Sequence, residues 1–326
     1  LGFILCTWLM FKMNMGYALL STVLMVLIYL AITYKKADKE GMAAIFQGVT
    51  FQLSRRLQVF LQKKRSEEDE NWRPSIVCVS RYSFKRFGAF NLLTWLSHKY
   101  GFGMYIHLID GFLSQKTNHE GKDKLRKLLK MAGHTHSNVY VNTLVSPSFT
   151  SAVAQTIQLP GISGKDNNMM LFEFSKKEPD NLDEIIDNFQ LVKSINFDIC
   201  ILRTAEKDFG FRKEIHLWIT SADYTNANLM ILLSYILLGH RDWKGATIKI
   251  FAVFPEAKLD EQKQHLQGLI KTGRLPIAAS NIQTIAQTGD TGVRAIINEK
   301  SADADLTLIG FKSEVLKRKG KEIFDG

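Results

Sequence analysis

The sequence predicts an α/β protein: two linked parallel-sheet units, preceded by a transmembrane helix and an amphipathic linker helix. Three observations predict it. From Ser75 onward, short apolar runs of strand length alternate with stretches of 3.6-residue periodicity, the pattern of parallel sheets covered on both faces. Met13 to Tyr34 carry no charge and are bounded by Lys12, Lys35 and Lys36. Residues 41–63 then carry an apolar stripe at spacings of three and four.

The uncharged stretch would make about 33 Å of helix, enough for a hydrocarbon core of about 30 Å. A cleaved signal peptide would have a shorter apolar region and a small-residue exit, and Tyr29, Tyr34 and Lys35 do not fit that. The reading is a membrane span over 13–34. The eleven residues before it, "LGFILCTWLMF", are too few to span and read as the remnant of a preceding membrane helix, with a tight turn at Lys12, Asn14 and Gly16. "YKKADK" places residues 35–326 on the cytoplasmic side by the positive-inside rule, so the expected location is the cell membrane with a cytoplasmic body.

In the linker helix, Ile45, Val49, Leu53, Leu57 and Phe60 fall on one stripe, and Phe51 and Val59 widen it beyond what one contact needs. A helix of this kind packs as a linker or pairs with its copy in a dimer. "RSEEDENWRP" is a charged connector ending at Pro74.

The first cytoplasmic unit is read over 72–245. Its strands are "SIVCVS", "MYIHLID", "NVYVNTLV", "MMLFEF", "FDICILRT" and "EIHLWIT". Helical patterns lie between them, including 181–196, where Asn181 and Glu184 have capping-box spacing. "NANLMILLSYILLGH" is too short to span a membrane and reads as a buried crossover helix stopped at Gly239. The second unit is read over 246–326, from "ATIKIFAVF" to "ADLTLIGF" and a basic helical start, and is expected to stop inside the unit.

The net charge of +10 is scattered, apart from short runs such as "KDKLRKLLK". With no zinc-finger or RNA-binding signature, it fits an anionic lipid surface rather than nucleic acid. Cys6, Cys78 and Cys200 lie far apart in apolar surroundings and read as reduced packing residues.

Catalytic chemistry is not evident. There is no phosphate loop, nucleophile elbow or dinucleotide fingerprint. "TGDTG" offers Gly289 and Gly292 as an anion- or nucleotide-holding turn at a helix start, against the plainer reading of a turn and cap. His119, His134 and His136 lack the spacing of a metal site, His107 reads as a satisfied sheet histidine, and Asp303 and Asp305 read as closing a loop. No metal, cofactor or enzymatic activity is expected.

Taken in order, "LGFILCTWLMF", "MNMGYALLSTVLMVLIYLAITYKKADKEG", "FQLSRRLQVF", "NWRPSIVCVS", "MMLFEFSK", "KEIHLWI" and "LMILLSYILLGHRDWKGATIKIFAV" resemble the last membrane helices and cytoplasmic domain of the cation–chloride cotransporter family. The resemblance implies two cytosolic α/β units related to universal stress proteins, which dimerise and regulate a membrane core on the same polypeptide. It implies that Ile45, Val49, Leu53, Leu57 and Phe60 carry linker packing or the dimer contact. The family's ion sites lie on earlier membrane helices, so no ion ligand is assigned here. The short loops and "GFRKEIHLWITSADYTNA" resemble a compact, prokaryotic member. An amino-acid or polyamine permease tail, a nucleotide-sensing stress-type domain and a plain membrane-anchored scaffold are the rival readings.

Overall fold

A computed structural model describes the backbone of residues 2–34, 39–63, 72–135, 137–162, 166–220, 224–272, 278–286 and 292–324; for some helix residues, 29–34 and 39–46 among them, it describes the backbone alone. The chain divides into two compact units, Leu1–Lys64 and Arg65–Gly326.

The first unit holds three helices: α1 (Gly2–Met13), α2 (Met15–Tyr34) and α3 (Lys39–Lys63). Asn14 interrupts the first two, and its side-chain oxygen accepts the N–H groups of Gly16 and Tyr17 at 3.2 and 3.4 Å, as an N-cap does. Ser21 Oγ lies 3.7 Å from Met10 Sδ, eleven residues away, so α2 turns back along α1 as the tight turn required. Side chains of α2 are described as far as Ile28. Among the described residues no helix is long and apolar enough to cross a membrane. The span expected over 13–34 is therefore not borne out there.

In the second unit, β1 (Ser75–Ser80), β2 (Phe102–Asp110), β3 (Tyr140–Ser146), β4 (Met169–Ser175) and β5 (Asp198–Thr204) form one parallel sheet in the order β3-β2-β1-β4-β5. Helices α4 (Gly88–Ser97) and α5 (Gln115–His134) cover one face, and α6 (Phe149–Ile157) and α7 (Leu182–Lys193) the other. The order reverses between β1 and β4, a doubly wound arrangement.

A second parallel sheet, β8-β7-β6-β9, is built from β6 (Glu214–Thr220), β7 (Thr247–Phe254), β8 (Ile282–Ala286) and β9 (Leu306–Ile309). α8 (Ala227–Leu238) and α9 (Leu259–Thr272) pack on it, as does α10 (Val293–Lys300), which lies against Trp218, Phe251 and Val253. α11 (Ser313–Lys319) and a closing 3-10 turn (Gly320–Phe324) return to α7. The buried crossover helix is found as α8, with Gly239 at its C-cap.

Two sequence expectations need correction. The boundary near 245 is misplaced, because β6 hydrogen-bonds to β7 and β9, so the sheets part between Thr204 and Glu214. The two linked sheets share one core: α4 and α8 meet, and apolar packing runs from Ile76 and Leu93 through Trp95 and Trp243 to Ile250. The capping box at Asn181 and Glu184 is also not made. Asn181 caps nothing with its side chain; its amide donates to the Glu173 carbonyl at 2.6 Å and accepts from Arg86 at 2.9 Å. A capping box is made by Ser114 with Thr117, at the start of α5.

Asp305 does close a loop. Its carboxylate accepts the backbone N–H groups of Phe211 (2.9 Å), Lys213 (2.6 Å) and Glu214 (3.0 Å), fixing the entry to β6. Gly210 permits this approach: its φ is +47°, and a Cβ there would stand 2.2 Å from Asp305 Oδ1. Asp305→Ala leaves three N–H groups without their acceptor and is expected to cost about 2–3 kcal/mol in urea unfolding. Asp303→Ala, at an exposed neighbour, should cost less than about 0.5 kcal/mol.

Candidate functional site

In a doubly wound sheet the place for a ligand is the crevice at the carboxyl ends of the strands where the order reverses. Here that is the gap between β1 and β4, beyond Ser80 and Phe174. Arg81, the first residue after β1, fills it. Its Nε lies 2.9 and 2.8 Å from the two Asp110 oxygens, its Nη1 pairs with Glu184, and its guanidinium lies over the Phe149 ring. Arg86 closes the adjoining side through Asn181 and the Glu178 carbonyl, at 2.9 and 2.8 Å. The space left is about 10 Å³, less than a small ligand needs. The crevice is occupied by the chain's own ion pairs.

Beneath it lies Glu173 of β4, 7% exposed. It projects to the α4 side, since Met169 and Leu171 alternate with it on that face while Met170, Phe172 and Phe174 face α6 and α7. Neither carboxylate oxygen has a hydrogen bond. Desolvation pushes its pKa up to about 7; the N–H groups of Ala89 and Gly88 and the charge of Arg86 lower it part way without reaching bonding geometry. Gly88 is required by this closeness, because a Cβ there would lie 2.7 Å from Glu173 Oε1 and 2.4 Å from Thr204 Cγ2.

A second polar cluster lines the start of β6. Lys249 Nζ lies 2.8 Å from both Glu214 oxygens, Glu214 Oε2 is 3.1 Å from His216 Nε2, and His216 Nδ1 is 2.9 Å from Ser301 Oγ. The connectivity is that of an acid, a base and a hydroxyl. Yet Ser301 Oγ also accepts the Trp218 indole N–H at 2.9 Å, and burial lowers the pKa of His216. A neutral imidazole donating to Glu214 and accepting from Ser301 completes the chain of donors and acceptors, leaving His216 no ring lone pair with which to act as a base. This is a packing network at the amino-terminal end of the sheet, away from where such folds hold ligands.

The residues singled out from the sequence are mostly not brought together. Gly289 lies outside the described residues; Gly292 is the N-cap of α10, with open space around it and no side-chain cap. His119 faces Asp123 at 3.6 Å in α5, His134 ends that helix, and His136 lies outside the described residues. Among the described residues no three His, Cys, Asp or Glu side chains could share a metal ion. His107 is buried with its Nδ1 2.9 Å from Ser83 Oγ, the satisfied sheet histidine expected.

Cys78 and Cys200 pair in register with Leu171 from either side, two strand spacings or about 10 Å apart, beyond disulfide reach. Both are free, and burial raises both thiol pKa values, that of Cys200 to about 11. Cys6 has no described side chain. On α3, Val49, Leu53, Leu57 and Phe60 are 52–61% exposed, and the Ile45 side chain lies outside the described residues.

Sequence reasoning missed Glu173, Arg81 and the His216 network. A charged residue between Phe172 and Phe174 was the available signal for Glu173; the partners of Arg81 and His216 lie too far along the chain to be read.

What the geometry defines is a parallel, two-sheet α/β domain with a filled switch point, following a helical lead-in. No protein-family profile matches the chain. It is similar to potassium/chloride cotransporter 3 of Caenorhabditis elegans, 24% identical over 295 residues, which cover 83% of this chain and 26% of that protein. The chain thus spans about a quarter of the length of this curated relative. Among solved structures it is similar to the cytoplasmic domain of a prokaryotic cation chloride cotransporter, with 16% identity, 67% of this chain and 80% of that chain covered, and a TM-score of 0.48. The family resemblance read from the sequence is borne out.

Glu173 gives the site a pH signature. Its folded pKa of about 7 stands above the ordinary 4.5, so the stability it contributes is complete below pH 4.5 and is lost as the pH rises through 7. Glu173→Gln should remove that slope. At pH 8.5 the variant is expected to be roughly 2–3 kcal/mol more stable than the parent, and near pH 5 about equal, by denaturant unfolding.

Proposed function

We propose that the chain is a cytoplasmic regulatory and dimerisation domain of a chloride-coupled sodium and/or potassium cotransporter, a symporter whose ion-binding membrane core lies elsewhere on the same polypeptide. The observation that carries the reading is a likeness spread over 83% of the chain to a potassium/chloride cotransporter. The filled crevice supports it, since a domain whose ligand position is taken by Arg81, Glu184 and Asp110 acts through contacts rather than chemistry. On this reading the domain is not an enzyme and needs no cofactor, and its two sheets descend from universal stress-type units.

In the same proposal α2 belongs to the last membrane span, the uncharged stretch from Met13 to Tyr34, and Lys35 and Lys36 after it place the body on the cytoplasmic side near anionic lipid. The exposed stripe Val49, Leu53 and Leu57 of α3 is the contact with a second copy.

The test is ion flux in vesicles carrying the full-length transporter. Electroneutral cation uptake that needs chloride on the same side is the expected result. Uptake driven by an amino acid or polyamine and indifferent to chloride would overturn it in favour of the permease reading. For the dimer, Leu53→Glu with Leu57→Glu in the full-length protein should convert a dimer to a folded monomer by light scattering in detergent. A variant that stays dimeric removes α3 from the interface.

A further inference from the structure

Phe112 and Leu113 stand 79% and 78% exposed in the short loop between β2 and α5, at the carboxyl end of the first sheet, so neither contributes to the core. The loop is nevertheless held in one shape. Thr117 Oγ1 accepts the Ser114 N–H at 2.9 Å and donates to the Phe112 carbonyl at 3.0 Å, while Ser114 Oγ accepts the Thr117 N–H at 3.2 Å. Two large apolar side chains are thus presented to solvent on a fixed turn.

The helix that follows carries six Lys and Arg residues against two acidic ones, Glu120 and Asp123. Its inner side is buried through Gly121, Leu128 and Ala132, whereas Lys116, Lys122, Arg126, Lys127 and Lys130 are exposed. Lys122, Arg126 and Lys130 recur every four residues and share one face with Leu129, which is 55% exposed. Among the described residues the ion pairs of α5 are those of Asp123 with His119 and Arg126, at 3.6 and 2.5 Å, which leaves the four exposed lysines uncompensated. An apolar pair on a rigid turn beside such a face matches one kind of surface, hydrocarbon beneath a layer of anionic headgroups. Nucleic acid would meet the charge but offers Leu113 no apolar phase.

We propose that α5 and the turn of Phe112 and Leu113 form a docking surface for an anionic lipid bilayer, with the two apolar side chains entering the headgroup boundary and Lys122, Arg126 and Lys130 lying over the phosphates. The proposal rests on the membrane attachment argued above and adds a second point of contact, on the α/β body itself. The apolar contribution holds at any ionic strength, whereas that of the lysines is screened, so salt and the anionic lipid content of the bilayer set whether the body is held or released.

The test uses the full-length protein in vesicles of phosphatidylcholine alone or with phosphatidylserine, carrying a polarity-sensitive fluorescent amino acid at position 113. Flotation with the neutral vesicles reports the membrane attachment; a protein that does not float removes that reading and this one with it. In the floating protein, emission should shift to the blue only with phosphatidylserine, be quenched by lipids spin-labelled in the acyl chain, and shift back on adding salt. The variant Lys122→Gln, Lys127→Gln and Lys130→Gln, changed only at exposed positions, should lose the shift. Emission that is the same in both kinds of vesicle, or that is shifted but not quenched because a second copy, another protein or nucleic acid covers the turn, overturns the proposal and leaves the transporter reading standing.

Discussion

The architecture of the second unit depends on one helix being covered on all sides. Nine of the ten residues of α4 are buried. Its Leu93 and Phe90 lie in the core of the first sheet, while Trp95 packs edge-on against Phe209 at 4.6 Å and Trp243 at 5.4 Å from the second half. The indole N–H of Trp95 reaches Asp242 Oδ2 at 3.0 Å, so its one polar atom is paired across the same contact. A helix with no solvent face cannot be repacked from one side alone. Any change that shifts α4 against β4 also shifts it against α8, and truncating one of its buried leucines would cost roughly 2–5 kcal/mol on those grounds. The two sheets therefore behave as one body with one core.

The polar groups of the second half sit mostly at strand entries, where they are paired. At the entry to β6, where the new sheet begins, Asp305 supplies three backbone bonds. The Lys249, Glu214, His216 and Ser301 series does the same along the β6 surface. Glu173 is the exception. It is buried by the first turn of α4 with no bond to either oxygen, a cost that a fold without a use for it would be expected to lose. Its pKa near 7 makes the packing of α4 against β4 a junction that is sensitive to pH in the neutral range.

Much of the fold was legible because each strand is a short apolar run closed by turns, and strands buried on both faces need nothing else to show themselves. The turn of Asn14, the crossover α8 and the loop-closing Asp305 could be read for the same reason: each is a local event. What could not be read is pairing. The Ala205–Lys213 connector looks like any other turn, and only the partners of β6, Thr247 onward and Leu306 onward, reveal that a new sheet begins there. Asn181 has the right spacing for a cap but is claimed by Glu173 and Arg86, a tertiary competition invisible in the local sequence. The glycines of "TGDTG" drew notice as a motif, yet Gly292 only starts a helix; the ion pairs that fill the true crevice join residues up to 103 positions apart.

A ligand-binding protein of this topology keeps the crevice at its strand ends open. This chain fills it. Arg81 and Arg86 fill the crevice with pairs that would have to break before anything could enter, whereas β5 and β9 border a cavity of about 600 Å³ lined by both polar and apolar side chains. Apolar area is also left exposed along α3. Apolar area free for interaction thus lies along the exposed face of α3, and little space is left at the crevice where doubly wound sheets hold their ligands. A crevice closed by its own ion pairs and an exposed apolar helix face leave contact with other segments of protein as the interaction this arrangement favours.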